Sequence, residues 1–360
     1  MLPYYALVGI PALIALVNRI INIKFKKVSL KVLVISSFFL GMIVLLALRG
    51  MECGIDLPNY KTFFDFSHYR PFSFVRIKYG IEVGYHLVEY IVALCTQNFQ
   101  ILLAVVACVS VIPVWIMYAK ESDMPYLTIV LFLTLVPFGM YFSGLRQVVA
   151  MAFVVPAYYC MKHKKLVWFL IVTFIAMLFH TSTIFIIVLY PLYHVRITKK
   201  WLYFTVPIMA LIFIFNEYVF DTLFMLFGGK YVDRYAEMEG DGAAYLFMIM
   251  LVGLAVISFL ITDDKQIDND IIGLRNILLL AICVQFFAPV HPLAMRMNYY
   301  FLMFVPMLIP KVLRKSRPEV KQITTAISIV LTIFFTFWFF YDAHTDVDIL
   351  EVFPYVPFWR

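Results

Sequence analysis

The sequence predicts an all-α polytopic membrane protein, and three features of the chain support this. Apolar residues make up 64% of the 360 positions and charged residues only 14%, against roughly 45–50% and about 25% in soluble proteins. The apolar residues form continuous runs, not the alternating pattern of barrel strands. In lipid, such runs satisfy their backbone hydrogen bonds only as helices. We therefore expect a single integral-membrane domain over residues 1–360.

Twelve apolar runs predict about twelve transmembrane helices, although several are short for a span of roughly 20 residues. The first run lacks the basic start and small-residue cleavage site of a signal peptide, so we expect it to remain as a span. The runs are 3–22, 32–48, 99–118, 125–142, 145–161, 166–180, 182–195, 201–216, 244–262, 271–290, 297–311 and 322–341.

Basic residues set the predicted orientation. Under the positive-inside rule, basic clusters such as 24–27 and 162–165 face the cytoplasm. If residues 81–96 crossed the membrane, the second cluster would face outward, so this segment, with Glu82 and Glu89, is predicted to be a surface helix. Both termini then face outward. The outer segments include a first loop at 49–98, a second loop at 217–243 and a C-terminal tail at 342–360.

Arginine is common on the predicted outer face, where the positive-inside rule does not require it. Its planar fork stays charged and binds phosphate oxygens bidentately, which favours a phosphorylated ligand. The alternative is that these arginines pair with loop carboxylates, an interaction that contributes little. The net charge of +7 comes mainly from the cytoplasmic anchors and does not indicate nucleic acid binding. The outer arginines are Arg49, Arg70, Arg76, Arg146, Arg234, Arg296 and Arg360.

Arg146, followed by Gln147, is the strongest single signal because it stands between two long apolar runs. An arginine at the membrane is costly, and by default it indicates a functional site. His180 falls at the outer end of the sixth run and is predicted to open on the same face as Arg146. A histidine in that position is either a packing or capping residue or a functional one.

The outer loops combine acidic, basic and aromatic residues. Sugar hydroxyls take directional hydrogen bonds and sugar C–H faces lie on aromatic rings, so this combination suits a glycan. The tyrosines equally suit an interfacial belt. The candidate residues are Arg49, Asp56 and Glu82 in the first loop, Lys230 and Tyr231 in the second, and Arg296 and Tyr300 at the start of the eleventh run.

Other chemistries have little support in the sequence. There is no glycine-rich phosphate loop, no His-Glu-x-x-His motif and no Gly-x-Ser-x-Gly elbow. The five cysteines are scattered, without the spacing of metal ligands or of a disulfide framework. We therefore expect neither a metal nor a cofactor.

Several motifs occur in an order that matches a known family. Phe142-Ser143-Gly144-Leu145-Arg146-Gln147 is followed by a basic Lys/His turn and then by Leu178-Phe179-His180-Thr181-Ser182. Further matches are Arg49 with Gly54 and Asp56 before Tyr60, Glu82-Val83-Gly84-Tyr85, Lys230-Tyr231, and Arg296 before Tyr299-Tyr300-Phe301. Taken together, the chain resembles the EpsG family of bacterial polysaccharide polymerases, the Wzy-type enzymes.

The resemblance implies a helical bundle like that of GT-C glycosyltransferases, in the bacterial cytoplasmic (inner) membrane, with loop helices and the active site facing the periplasm or outside. It implies transfer of a glycan from an undecaprenyl-diphosphate carrier onto a second lipid-linked repeat unit, with no metal required. Membrane lipid, a chain-length regulator and a flippase are the implied partners. We expect Arg146, Gln147, Arg296, Arg49, Tyr300, Lys230 and Tyr231 to bind the diphosphate or glycan, and Asp56, Glu82 and His180 to be unranked candidates for the catalytic base.

Two alternatives remain open on the sequence alone. One is a flippase or exporter of lipid-linked oligosaccharides, although transporters commonly have repeated halves and this chain shows no internal repeat. The other is a glycosyltransferase of the O-antigen ligase type, which uses the same donor and similar arginines. Only the family resemblance separates that ligase from a polymerase.

Overall fold

A computed structural model describes residues 1–21, 29–135, 138–227, 243–344 and 350–360. These residues are mainly helical, and an isolated antiparallel bridge joins Arg49 to Pro357. The chain divides into two compact units, Met1–Ile187 with Ile329–Arg360, and Val188–Ser328.

The first unit contains the helices of the N-terminal half. Helix α2 begins after Ser29, whose hydroxyl accepts the Val32 N–H at 3.4 Å, and α6 begins after Asn98, whose side chain accepts the Gln100 N–H at 2.9 Å. Both are common N-terminal caps. The helices are α1 (Leu2–Ile21), α2 (Leu30–Leu48), α3 (Leu57–Tyr69), α4 (Phe72–Tyr79), α5 (Val83–Cys95), α6 (Phe99–Glu121), α7 (Pro125–Leu135), α8 (Met140–Ser143), α9 (Leu145–Lys162) and α10 (Leu166–Met177).

The first loop is a packed helical layer. Helices α3, α4 and α5 share one hydrophobic core, to which α6 and α9 also contribute. Tyr60 and Phe64 of α3 meet Tyr85 of α5 in this core, and Leu145 and Val149 extend it onto α9. Helix α5 occupies most of the segment 81–96. The core therefore fixes the loop against the start of α9, where Arg146 lies.

The second unit is mainly helical within its described residues, and two of the predicted runs, one of which begins in the first unit, are interrupted. The run 182–195 begins as a 3-10 helix, Thr181–Val188, and the run 297–311 is split between α16 and α17. Pro306 lies in the first turn of α17, where a missing N–H is tolerated. The helices are α11 (Leu189–His194), α12 (Leu202–Ile214), α13 (Asn216–Phe227), α14 (Ala243–Leu260), α15 (Asn269–Gln285), α16 (Pro292–Leu302) and α17 (Val305–Arg314), after which α18 (Lys321–Asp342) leads back into the first unit.

The apolar helices are those of a membrane protein, but the predicted count of twelve spans is not confirmed. By length and composition, three helical segments of the described chain can cross a membrane, Leu30–Leu48, Phe99–Glu121 and Pro318–Asp342. A pair bent by 118°, Thr181–His194 with Lys199–Ile214, raises this number to four if it is one span. Several other predicted runs form apolar helices of only 10–17 residues.

Candidate active site

Three of the predicted residues meet around one carboxylate. Glu82 Oε2 lies 2.6 Å from Arg146 Nη1, and Glu82 Oε1 lies 3.2 Å from His180 Nδ1. Glu82 immediately precedes α5, Arg146 lies in the first turn of α9, and His180 follows α10. The side chain of Glu82 is 9% exposed, compared with 30% for Arg146 and 22% for His180. The carboxylate is thus covered, while the guanidinium and the imidazole remain accessible.

Gly84 permits the close approach that brings Glu82 to His180. Its N–H donates to the carbonyl oxygen of Leu178 at 2.7 Å. A β-carbon at position 84 would lie 2.8 Å from that same oxygen, which is too close for any residue other than glycine without a shift. Glu82 stands two residues before this contact and His180 two residues after Leu178, so the contact sets the distance between them.

The environment of Glu82 keeps it ionised. Burial raises its pKa, but the hydrogen bond from His180 and the positive charge of Arg146 together outweigh burial and lower the pKa to about 2. A carboxylate with this pKa accepts hydrogen bonds from both partners at neutral pH and is a weak base. Its chemistry therefore suits orientation of Arg146 and His180 better than proton abstraction.

The contact with Glu82 assigns the two nitrogens of His180. An ionised carboxylate only accepts hydrogen bonds, so we assign the proton to Nδ1, which donates to Glu82 Oε1. In the neutral tautomer of the ring, this leaves the lone pair on Nε2. The backbone is held as well, since the His180 N–H donates to the carbonyl oxygen of Ala176 at 3.1 Å and the Thr183 hydroxyl donates to the carbonyl oxygen of His180 at 2.7 Å. This arrangement gives His180 the orientation expected of a base.

Tyr60 supports Arg146 from within the first-loop core. Its hydroxyl oxygen lies 3.5 Å from both the backbone nitrogen and Nε of Arg146, at the long limit of a hydrogen bond. Burial raises the pKa of Tyr60, so its hydroxyl stays neutral at physiological pH. Only one nitrogen of the guanidinium contacts Glu82, and a planar fork of this kind can bind phosphate oxygens with its other N–H groups.

Asp56 lies against the segment that leads into α9. The Ser143 hydroxyl accepts the Asp56 N–H at 3.3 Å and donates to Asp56 Oδ2 at 3.1 Å. Gly54, with φ of 133°, adopts a backbone conformation that side chains rarely tolerate, and a β-carbon there would overlap the Phe142 carbonyl. Asp56 is partly exposed, so its carboxylate can reach a ligand from this position.

Arg49, predicted to bind ligand, instead contacts the protein. It is only 2% exposed. Its Nη1 donates to the carbonyl oxygen of Tyr141 at 3.1 Å, and its guanidinium lies 5.4 Å from the centroid of the Phe142 ring. In this structure Arg49 therefore fixes the backbone that precedes Arg146.

The remaining predicted residues lie elsewhere. Gln147 is buried in the first turn of α9. Arg296 and Tyr300 are both on α16 in the second unit, where Tyr300 is buried and Arg296 is partly exposed. Lys230 and Tyr231 lie outside the described residues. In the part of the chain that the structure describes, no group of three or more His, Cys, Asp or Glu side chains is placed to hold a metal ion.

Sequence reasoning did not assign roles to Ser143 or Tyr60, or to the two glycines. A signal for the glycines is present, because Gly54 and Gly84 each stand two residues from a candidate carboxylate. Each glycine brings the first loop onto a backbone carbonyl, of Phe142 and Leu178 respectively. The pairing of a glycine with an acidic residue thus indicates where the loop contacts the helices.

Comparison with known proteins gives one match. The model of the EpsG family matches residues 32–356, which is nearly the whole chain. No curated protein and no solved structure matches it. The matched range includes Glu82, Arg146 and His180 together with the segments that position them. The chain therefore belongs to the EpsG family, a family of Wzy-type polysaccharide polymerases.

Proposed function

We propose that this protein polymerises a polysaccharide by moving a glycan from an undecaprenyl-diphosphate carrier onto a second lipid-linked repeat unit, at the outer face of the bacterial cytoplasmic membrane. The observation that carries the proposal is the Glu82 carboxylate, which bonds Arg146 on one side and His180 on the other. In a member of a polymerase family, this arrangement joins a cation suited to a diphosphate with a base suited to a sugar hydroxyl.

Arg146 binds the donor diphosphate in this proposal. Negative charge develops on the bridging oxygen as the bond between the sugar and the phosphate breaks. A guanidinium held in advance by Glu82 stabilises that charge without having to reorganise. Arg296, which is partly exposed on α16, is proposed as a second cation for the diphosphate.

His180 acts as the base. Its Nε2 takes the proton of the acceptor hydroxyl as the acceptor oxygen forms a bond to the anomeric carbon of the donor sugar. The bond from that carbon to the diphosphate oxygen breaks, and the carrier diphosphate leaves with the electron pair. Glu82 stabilises the imidazolium that results, and the proton then passes to solvent. The products are the lengthened glycan on its carrier and free undecaprenyl diphosphate.

Asp56 is the second candidate for the base. Its carboxylate is partly exposed and one oxygen accepts the Ser143 hydroxyl, so it can also contact the acceptor sugar. We favour His180 because a neutral imidazole is the better proton acceptor near neutral pH. Asp56 is then assigned to orienting acceptor hydroxyls.

Incubation of purified protein with a lipid-linked repeat unit tests the proposal directly. The expected result is a ladder of glycans that differ by one repeat, produced without a nucleotide sugar. Arg146→Ala at matched protein concentration should give no ladder. A wild-type protein that leaves the repeat units unchanged, or that moves them to an acceptor lacking the carrier, would overturn the proposal in favour of a ligase or another activity.

A cell-based experiment separates a polymerase from a flippase. When the gene is deleted, a polymerase leaves single repeat units on the outer face, open to an external lectin or glycosidase. Loss of a flippase leaves them inside, because a charged diphosphate crosses hydrocarbon too slowly unaided. Repeat units trapped inside would contradict the proposal.

A further inference from the structure

A short C-terminal segment, residues 350–358, lies along the beginning of the first loop. We refer to it as the strap. The Gly50 N–H donates to the Val356 carbonyl at 2.7 Å, and the Ile55 N–H donates to the Leu350 carbonyl at 3.2 Å. The Phe358 N–H donates to the Leu48 carbonyl at 3.0 Å. The strap thus satisfies backbone groups at both ends of the irregular segment 48–55.

Side-chain hydrogen bonds also hold the strap in place. The Tyr4 hydroxyl donates to the Val352 carbonyl at 2.6 Å, and the Tyr355 hydroxyl donates to the Leu45 carbonyl at 3.0 Å. The Val356 N–H donates to Cys53 Sγ at 3.1 Å, and Cys53 is fully buried. The strap therefore covers the Cys53 thiol.

The strap also contacts the turn that leads into α8 and α9. A β-carbon on Gly139 would lie 2.8 Å from Leu350 Cδ1 and 3.3 Å from Val352 Cγ2. The ring of Tyr4 lies 4.7 Å from that of Phe353 and 6.3 Å from that of Phe142. The strap thus packs both against the segment before Asp56 and against the turn that precedes Arg146.

We infer that the strap positions the active site. The strap holds the segment 48–55 against the turn that leads to Arg146. This segment ends beside Asp56, and it contains Arg49, which donates to the Tyr141 carbonyl. This inference rests on the proposed function. Catalysis is sensitive to placement, and a displacement of about 1 Å can lower a rate about a hundredfold.

Kinetics of strap variants test the inference. The variants are a protein that ends after residue 349 and the double substitution Leu350→Ala with Val352→Ala. Trp359→Ala is the matched control, because Trp359 lies beyond the strap and is 64% exposed. We expect kcat per folded protein to fall at least about tenfold in both strap variants, with a smaller change in KM. The control should match the wild type.

Accessibility of Cys53 provides a readout that does not depend on activity. In a background that keeps only Cys53, a maleimide should label the thiol slowly in the wild type and quickly after strap deletion. A peptide of residues 350–360, added to the shortened protein, should slow the labelling and restore part of the activity. Such rescue separates positioning from a general folding defect.

Two outcomes would overturn the inference, and they are distinct from failure of the proposed function. One is a shortened, monodisperse protein with wild-type kcat and KM. The other outcome decides the question if the shortened protein aggregates. It is a folded Leu350→Ala, Val352→Ala variant with wild-type kcat and KM. In both cases an inactive Arg146→Ala variant would leave the proposed function intact. A wild-type protein that makes no polymer removes the proposed function, and this inference with it.

Discussion

The guanidinium of Arg146 and the carboxylate of Glu82 form an ion pair of 2.6 Å where the first loop meets α9. The second oxygen of the same carboxylate binds His180. Removal of Glu82 takes this partner from both Arg146 and His180, and removal of Arg146 or His180 changes the environment of the Glu82 carboxylate that the other one binds. The effects of substitutions at the three positions should therefore be far from additive.

Replacement of Arg146 by lysine keeps the charge and removes the planar fork. If the fork binds the donor diphosphate, turnover should fall about a hundredfold or more, because a point charge replaces a bidentate contact. The measurement is ladder formation in vitro at matched protein concentration. Arg76→Lys is the control, since Arg76 is an exposed arginine of the same loop. Normal turnover in Arg146→Lys would limit Arg146 to a structural role.

Replacement of His180 by glutamine keeps a donor for Glu82 and removes the basic nitrogen. We expect the rate of polymerisation to fall by roughly 10²–10⁴-fold, the usual contribution of a general base. His163→Gln, at an exposed histidine in a basic turn, should have no effect. A fully active His180→Gln variant would show that His180 is not the base. The role would then be assigned to Asp56, and Asp56→Asn should be inactive.

The lowered pKa of Glu82 predicts a dependence of stability on acid. The folded-state pKa, about 2, lies below the ordinary value of 4.5, so the stabilising contribution is present above pH 4.5 and disappears as the pH falls towards 2. Compared with Glu82→Gln, the wild type should be more stable at neutral pH by on the order of 3 kcal/mol.

Thermal unfolding midpoints measured from neutral pH downward test this dependence. The gap between the wild type and Glu82→Gln should hold to about pH 4.5 and close below it. Glu52→Gln, at an exposed carboxylate, should show no comparable gap. A gap that is constant over the whole range would show that ionisation of Glu82 does not contribute.

Gly84→Ala should weaken the contact between the first loop and the turn after α10. The added methyl group would lie 2.8 Å from the Leu178 carbonyl oxygen, a backbone atom that cannot move freely. We expect a loss of about 1–3 kcal/mol in unfolding free energy, as in other overpacked sites, with reduced polymerisation. The control is Gly253→Ala, where no atom lies within 4 Å. Equal stability of the two variants would contradict the close approach.

The predicted orientation is tested with single cysteines. Thr181→Cys stands beside His180 and His163→Cys lies in the basic turn, and both positions are exposed. With the native cysteines removed, an impermeant thiol reagent should label position 181 in spheroplasts and position 163 only after lysis, because the lysines around 163 favour the cytoplasm. The reverse pattern would place the candidate site inside the cell.

Helices in uninterrupted apolar runs could be predicted well from the sequence. The predicted runs 32–48 and 145–161 correspond to Leu30–Leu48 and Leu145–Lys162. The local amino-acid composition is enough to predict that these segments are helices and roughly where they begin and end. It does not decide where a run breaks, as between α16 and α17, because the break depends on Pro306 and on packing of the surrounding helices. Nor does it show the strap, which has no periodic pattern and is held by residues from distant parts of the chain.

The candidate site could be predicted as residues but not as an arrangement. Arg146 and His180 stand out because charged or titratable side chains are rare beside apolar runs, and Glu82 stands out as a carboxylate in an outer loop. The shared contact joins Glu82 to Arg146, which is 64 positions away in the sequence, and to His180, which is 98 positions away. The close approach at Gly84 makes that contact, and no local pattern encodes it. The buried role of Arg49 is hidden for the same reason, since its partner, the Tyr141 carbonyl, is a backbone atom.

The contacts between the strap and the segment 48–55 can form only late in biosynthesis, after the strap has been translated. Cys53 and Val356, whose N–H donates to the Cys53 sulfur, are separated by 303 positions. At about 5–20 residues per second, the ribosome needs roughly 15–60 s to travel that distance. Throughout this interval the N–H groups of Gly50 and Ile55 lack their carbonyl partners, although α2 and the first-loop helices have already been translated. A nascent chain therefore acquires the finished geometry around Asp56 only after the strap has been translated, so a prematurely terminated product should insert into the membrane without maturing.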